Sequence, residues 1–175
     1  MRGSGFLEVY HHRVSEHITK RHNRTLLLYH LVCPVKYRKK ALTEPVEQAL
    51  KQVCLEIQER YELRFIEIGA DLDHVHFLIQ SAPVLSPTKI AQITKSLTSK
   101  HIFETHPEVK KMLWGGNFWT SGYYMNTVGQ YANEEVIRRY VQNQGMIYKQ
   151  IHRQQCASKR TKDGALESSF ICETY

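Results

Sequence analysis

Asp73-His74-Val75-His76-Phe77-Leu78-Ile79-Gln80 reads as one β-strand with two different faces. Successive side chains of a strand point to opposite sides, so His74 and His76 emerge together, about 7 Å apart along the chain. Val75, Phe77 and Ile79 point the other way and require a core beneath them. Two imidazoles on one face can converge on a single metal ion. A histidine pair in a strand is more often structural or exposed, so the rest of the chain has to decide between these readings.

Working outward, Arg64–Ala70 (RFIEIGA) is a second strand. Asp71-Leu72-Asp73 is a tight turn that joins it to the histidine strand as an antiparallel hairpin. Upstream, Thr25–Cys33 (TLLLYHLVC) is a continuous apolar run, the pattern of a central strand, and Pro34 ends it. Thr43 is placed to cap a helix opening with Glu44 and Pro45. Val46, Ala49, Leu50, Val53, Cys54 and Ile57 give that helix its apolar stripe. Downstream, Ser86 or Thr88 starts a helix running to about Phe103, with Ile90, Ile93, Leu97 and Ile102 on its apolar side. Pro107–Lys111 breaks the pattern. Thr120–Val128 (TSGYYMNTV) is a fourth strand, interrupted or bulged at Gly122. Asn133 caps a last helix, with Glu134 and Glu135 in its first turn and an extent reaching about Arg153.

This order predicts an α+β domain of ferredoxin-like βαββαβ topology, the arrangement shared with RRM modules, plus one carboxy-terminal helix. The antiparallel sheet then has order 4-1-3-2. The histidine strand is interior, the helices cover one face, and the other is left to meet a ligand or the last helix. Residues 1–23 read as a peripheral arm, 24–153 as the domain and 154–175 as a mobile tail.

The chain has 175 residues, enough for one domain. Its net charge is +7 before any of its ten histidines is counted, which points to a polyanion such as nucleic acid. No apolar run approaches the roughly 18 residues of a membrane span, and the start lacks the apolar core of a secretory signal. Cys33, Cys54, Cys156 and Cys172 are scattered without zinc-type pairing. A reducing cytoplasm is the expected location, with no membrane partner. Lys36, Tyr37, Arg38 and Lys39 form a basic cluster around one ring, suited to phosphate contact and base stacking. Lys89, Lys95 and Lys100 add a positive face to the second helix. These seven residues are the candidate DNA contacts; the bland reading makes them solvated surface.

Tyr140 and Gln144 lie four apart on the last helix and stack on one side of it. With them the chain resembles the single-tyrosine HUH transposases, the TnpA type of the smallest bacterial insertion sequences. The resemblance rests on His74-Val75-His76, on Tyr140 with Gln144 in RRYVQNQ, and on Lys36-Tyr37-Arg38 after the first strand. It covers about Arg24 to Ile151.

The resemblance implies that His74, His76 and Gln144 hold a divalent ion, Mg²⁺ or Mn²⁺. It implies that Tyr140, on the carboxy-terminal helix, is the catalytic nucleophile. It further implies single-stranded DNA with hairpin ends as substrate, cleaved and rejoined through a 5′-phosphotyrosine. The active form would be a homodimer whose active sites are shared between subunits. Alternatives are a domesticated relative acting on chromosomal repeated palindromes, a non-catalytic nucleic-acid-binding module, and a plain structural metal site on the two histidines.

Overall fold

The computed structural model describes residues 17–129 and 149–153. Strand β1 (Ile18–Lys20) pairs antiparallel with β2 (Asn23–Thr25) as a small hairpin. Then follow β3 (Leu27–Pro34), α1 (Glu44–Arg60), β4 (Leu63–Ala70), β5 (His74–Ser81), α2 (Pro87–Thr105), α3 (Pro107–Met112), β6 (Tyr124–Val128) and β7 (Lys149–Arg153). A 3₁₀ turn, Lys36–Arg38, follows β3.

The main sheet has order β6-β3-β5-β4-β7. Its first four members are the expected 4-1-3-2 of a βαββαβ unit, here extended by β7 on the β4 edge. Neighbouring strands run antiparallel throughout this sheet. β3 and β5 are interior, as expected from their apolar content, and β7 makes β4 interior as well.

Their register, from Leu27↔Ser81 to Pro34↔His74, decides what each face carries. Directly paired residues share a face. Tyr29, Leu31 and Cys33 therefore join Ile79, Phe77 and Val75 in the core under α1 and α2. His30 and Val32 join Leu78 and His76 on the opposite side. The core is closed by aromatic edges. Phe77 meets Phe65 at 5.8 Å and Trp119 at 6.4 Å between ring centroids. Trp119 Nε1 donates to the buried Thr98 hydroxyl at 2.9 Å, which donates to the Thr94 carbonyl at 2.6 Å, so this polar chain is satisfied in the interior.

α1 starts where its Pro45 and acidic first turn predict, although the Thr43 side chain makes no capping hydrogen bond. α2 is capped by Ser86, whose hydroxyl accepts from the Lys89 amide at 3.2 Å.

Residues 18–25 form a hairpin, most of it within the stretch 1–23 read as a peripheral arm, and Lys20 ion-pairs with Glu62. Three expectations are corrected. Pro107 opens a short helix rather than breaking one, because proline fits the first turn. The fourth strand is shorter, Tyr124–Val128, and begins after Gly122. Helix does not extend to Arg153: Lys149–Arg153 is a strand on β4, tied to α1 by Lys149 contacts to Glu47 at 2.8 Å and Glu44 at 3.7 Å.

Because Phe77 is fully buried between both helices and the aromatic cluster, Phe77→Ala is expected to cost about 3–5 kcal/mol in urea-induced unfolding.

Candidate functional site

β5 places His74 and His76 on the sheet face away from the helices, and both are buried. Their ring centroids lie 4.9 Å apart. The topology alone predicts an open face here, but every residue of β5 is buried, Leu78 and Gln80 included. Each imidazole has an ordered Nδ1. His74 Nδ1 lies 2.7 Å from Asp73 Oδ1. A carboxylate can only accept, so His74 donates from Nδ1 and carries its lone pair on Nε2. Asp73 is in turn held by Arg38, whose Nε donates to Oδ2 at 2.8 Å. Partial burial works against the Asp73 charge, yet the His74 hydrogen bond and the Arg38 guanidinium hold the carboxyl below its ordinary range.

His76 Nδ1 lies 3.0 Å from Nε2 of His30, and the two rings lie nearly coplanar, edge to edge, with centroids 5.2 Å and planes 9° apart. Burial lowers the pKa of each ring to about 4; for His76 the neighbouring histidines add to the effect. Both are neutral at pH 7, the state that a metal requires.

Asp71, Asp73 and His74 also bring potential ligand atoms within 4.8 Å of one another. The 2.7 Å contact of Asp73 with His74 is a hydrogen bond, and Arg38 already compensates that carboxylate. The carboxylate therefore fits the role of an outer partner that orients a ligating imidazole through its far nitrogen. Two imidazoles with Nδ1 engaged suit a divalent ion such as Mn²⁺.

The Lys36–Arg38 turn joins this face to a groove. Tyr37 (φ 59°) and Arg38 (φ 53°) are both in the left-handed region, a strained arrangement for two consecutive non-glycine residues. The turn is pinned by Val35 N to Asp73 O and Lys36 N to Phe118 O, each 2.8 Å. Arg38 points to Asp73, Tyr37 is exposed, and Lys36 Nζ sits 5.1 Å from the Tyr37 ring centroid.

Lys36, Lys89, Lys95 and Lys100 line one groove of about 1060 Å³ between α2 and the segment before β6. Tyr37, Arg38 and Lys39 are not part of its lining. Lys95 donates to the carbonyls of Thr120, Ser121 and Gly122 at 2.8, 2.9 and 3.1 Å, so its ammonium holds the chain ahead of β6. Lys100 is exposed, 3.9 Å from Glu104. Tyr140 and Gln144 lie outside the described residues.

The IS200-like transposase family model matches residues 23–144, a span that runs from β2 through β6 and includes the histidine pair and the positions of Tyr140 and Gln144. The chain belongs to the IS200-like transposases. It is 31% identical to the ISDra2 transposase TnpA of Deinococcus radiodurans over 67% of this chain and 84% of that one. It is 28% identical to the transposase of insertion sequence IS200 from Salmonella typhimurium, over 70% and 80% of the two chains. A crystal structure described as a transposase from Deinococcus radiodurans superposes with a TM-score of 0.59 at 28% identity, over 73% of this chain and 97% of that one. As a transposase, the chain is a DNA-cleaving and strand-transferring enzyme. Among the described residues no helix is long and apolar enough to cross a membrane.

Residue patterns did not single out His30, Asp73 as the partner of His74, or Arg38 as the partner of Asp73. His30 sits inside an apolar run. Its signal is parity: once β3 and β5 are paired, it falls on the histidine face, diagonal to His76.

Burying His30 and His76 as neutral rings makes stability depend on pH. With folded pKa values near 4 against 6.5 unfolded, the unfolded chain binds more protons between those limits. Stability is then complete above about pH 6.5 and falls as pH drops toward 4. Urea midpoints of the metal-free protein are expected to fall over that window, and less so in His30→Gln.

Proposed function

We propose that this transposase is a metal-dependent single-stranded-DNA strand transferase with Tyr140 as nucleophile. The observation that carries the reading is the pair of buried imidazoles at His74 and His76, each with Nδ1 in a defined hydrogen bond. These two residues, with Gln144 as third ligand, would hold Mg²⁺ or Mn²⁺. The bound ion would supply charge stabilisation at the scissile phosphate. Imidazole and amide ligands carry no charge, so they leave the charge of the ion undiminished.

The Tyr140 oxygen attacks phosphorus, forming a 5′-phosphotyrosine while the 3′ oxygen departs and gains a proton. Attack by a 3′-OH on that linkage reverses the step and joins strands without ATP. A phenol has a pKa near 10 and is a weak nucleophile, so catalysis depends on placing it against an electrostatically prepared phosphate. The substrate is single-stranded DNA bearing hairpins at the ends of an insertion sequence. Lys36, Lys89 and Lys100 supply phosphate contacts along the groove, and exposed Tyr37 supplies a stacking surface. Lys39 adds charge beside that turn. Arg38 and Lys95 act through the contacts that orient Asp73 and the segment leading into β6. The active form is a homodimer in which Tyr140 of the partner subunit meets His74 and His76.

Incubation of the chain with single-stranded hairpin DNA and Mn²⁺ is expected to give a covalent adduct on a denaturing gel. Tyr140→Phe, His76→Ala or EDTA should each reduce it to background. Mixing Tyr140→Phe with His76→Ala chains should restore adduct if the sites are shared. An adduct that survives in Tyr140→Phe would overturn the nucleophile assignment.

Replacing Lys36, Lys89 or Lys100 with Ala is expected to weaken binding across hairpin sequences. Removing one phosphate-neutralising ammonium should flatten the slope of log affinity against log salt by about 0.7–0.9. Unchanged slopes in all three would remove the groove from the interface.

A further inference from the structure

His30 lies on β3, across the sheet from the histidine strand, and nothing in the proposed reaction uses it. The residue is 1% exposed, its ring edge to edge and nearly coplanar with that of His76, with its Nε2 3.0 Å from Nδ1 of His76. Tyr124 closes the other side, its ring edge-on at 6.4 Å and 72°. Burying a polar ring in a central strand is costly unless a hydrogen bond compensates it. A leucine would fill the place without that cost.

The pair can be arranged in two ways. If His30 donates from Nε2, His76 must accept at Nδ1 and carries its proton on Nε2, which blocks that nitrogen as a ligand. If His76 donates from Nδ1, its lone pair is on Nε2, as in His74, where the Asp73 carboxylate imposes the same tautomer. Two ligands on one strand face can then offer the same nitrogen to one ion. We propose that His30 is a positioning residue that accepts the Nδ1 proton of His76, fixing its tautomer and ring plane so that Nε2 ligates the metal. His30 then carries its own proton on Nδ1. The two histidines thus have chemically different outer partners, an ion-paired carboxylate on one and a neutral imidazole on the other. The inference rests on the reading that His74 and His76 hold the metal.

The test measures Mn²⁺ affinity of the full chain by the electron paramagnetic resonance signal of free Mn²⁺. His30→Phe keeps an aromatic side chain and removes the acceptor; it should weaken binding about 10–100-fold. His30→Gln, whose amide oxygen can accept, should stay within a few-fold of the unsubstituted chain. Adduct yield in His30→Phe should recover as Mn²⁺ is raised. A second measurement needs no variant: long-range ¹H–¹⁵N correlations of the metal-free chain should show His76 protonated at Nδ1. Equal Mn²⁺ affinity in His30→Phe, or a His76 proton on Nε2, would overturn the positioning role while leaving the metal reading intact. Mn²⁺ binding unaffected by His76→Ala would overturn the metal reading, and this inference with it.

Discussion

The antiparallel pairing of β3 with β5 is the constraint on which the remaining structure depends. A slip of one residue would exchange His76 with Phe77, sending an imidazole into the core and a phenyl ring to the opposite face. Such a slip is opposed from both sides. Phe77 is held among Phe65 and Trp119, and His76 is held against His30. Folding and site assembly are therefore one event at these strands. The apolar face that stabilises the domain fixes the parity that gathers the histidines.

The site is ordered mainly by partners of the imidazoles. His74 is tied to the turn after β3 through Asp73 and Arg38, and His76 is tied to the middle of β3 through His30. One link runs to β3 itself and the other to the turn that follows it. The rings inherit the rigidity of the sheet interior rather than the mobility of a loop. That arrangement suits a site whose chemistry tolerates only a narrow range of positions.

The central architecture was legible because its signals are strong and local. The apolar run of β3, the alternation in β5 and the stripes of α1 and α2 each match one period. The elements that carry no such signal are short and polar. β1 (ITK), β2 (NRT) and β7 (KQIHR) have little hydrophobic pattern and are recognised through backbone pairing and contacts such as Lys149 with Glu47. The candidate site divides the same way. The histidine motif announces itself, whereas His30 is hidden in TLLLYHLVC until the pairing register is known. Arg38 and Lys95 read as generic positive charge. Charge in a sequence does not tell whether a cation faces solvent or caps carbonyls, and Lys95 meets three of them.

The left-handed backbone at Tyr37 and Arg38 separates what benefits the fold from what benefits the site. Left-handed geometry at non-glycine residues costs of order 1–3 kcal/mol each, and glycine would relieve it. A glycine at 38 would also remove the guanidinium that steadies Asp73, and one at 37 would remove the exposed ring. Engineering for heat resistance would target this turn first and would erode the enzyme in doing so. Tyr37 and Arg38 therefore form an adjustable coupling, through which an exposed ring and the geometry of the histidines change together while the sheet is left untouched.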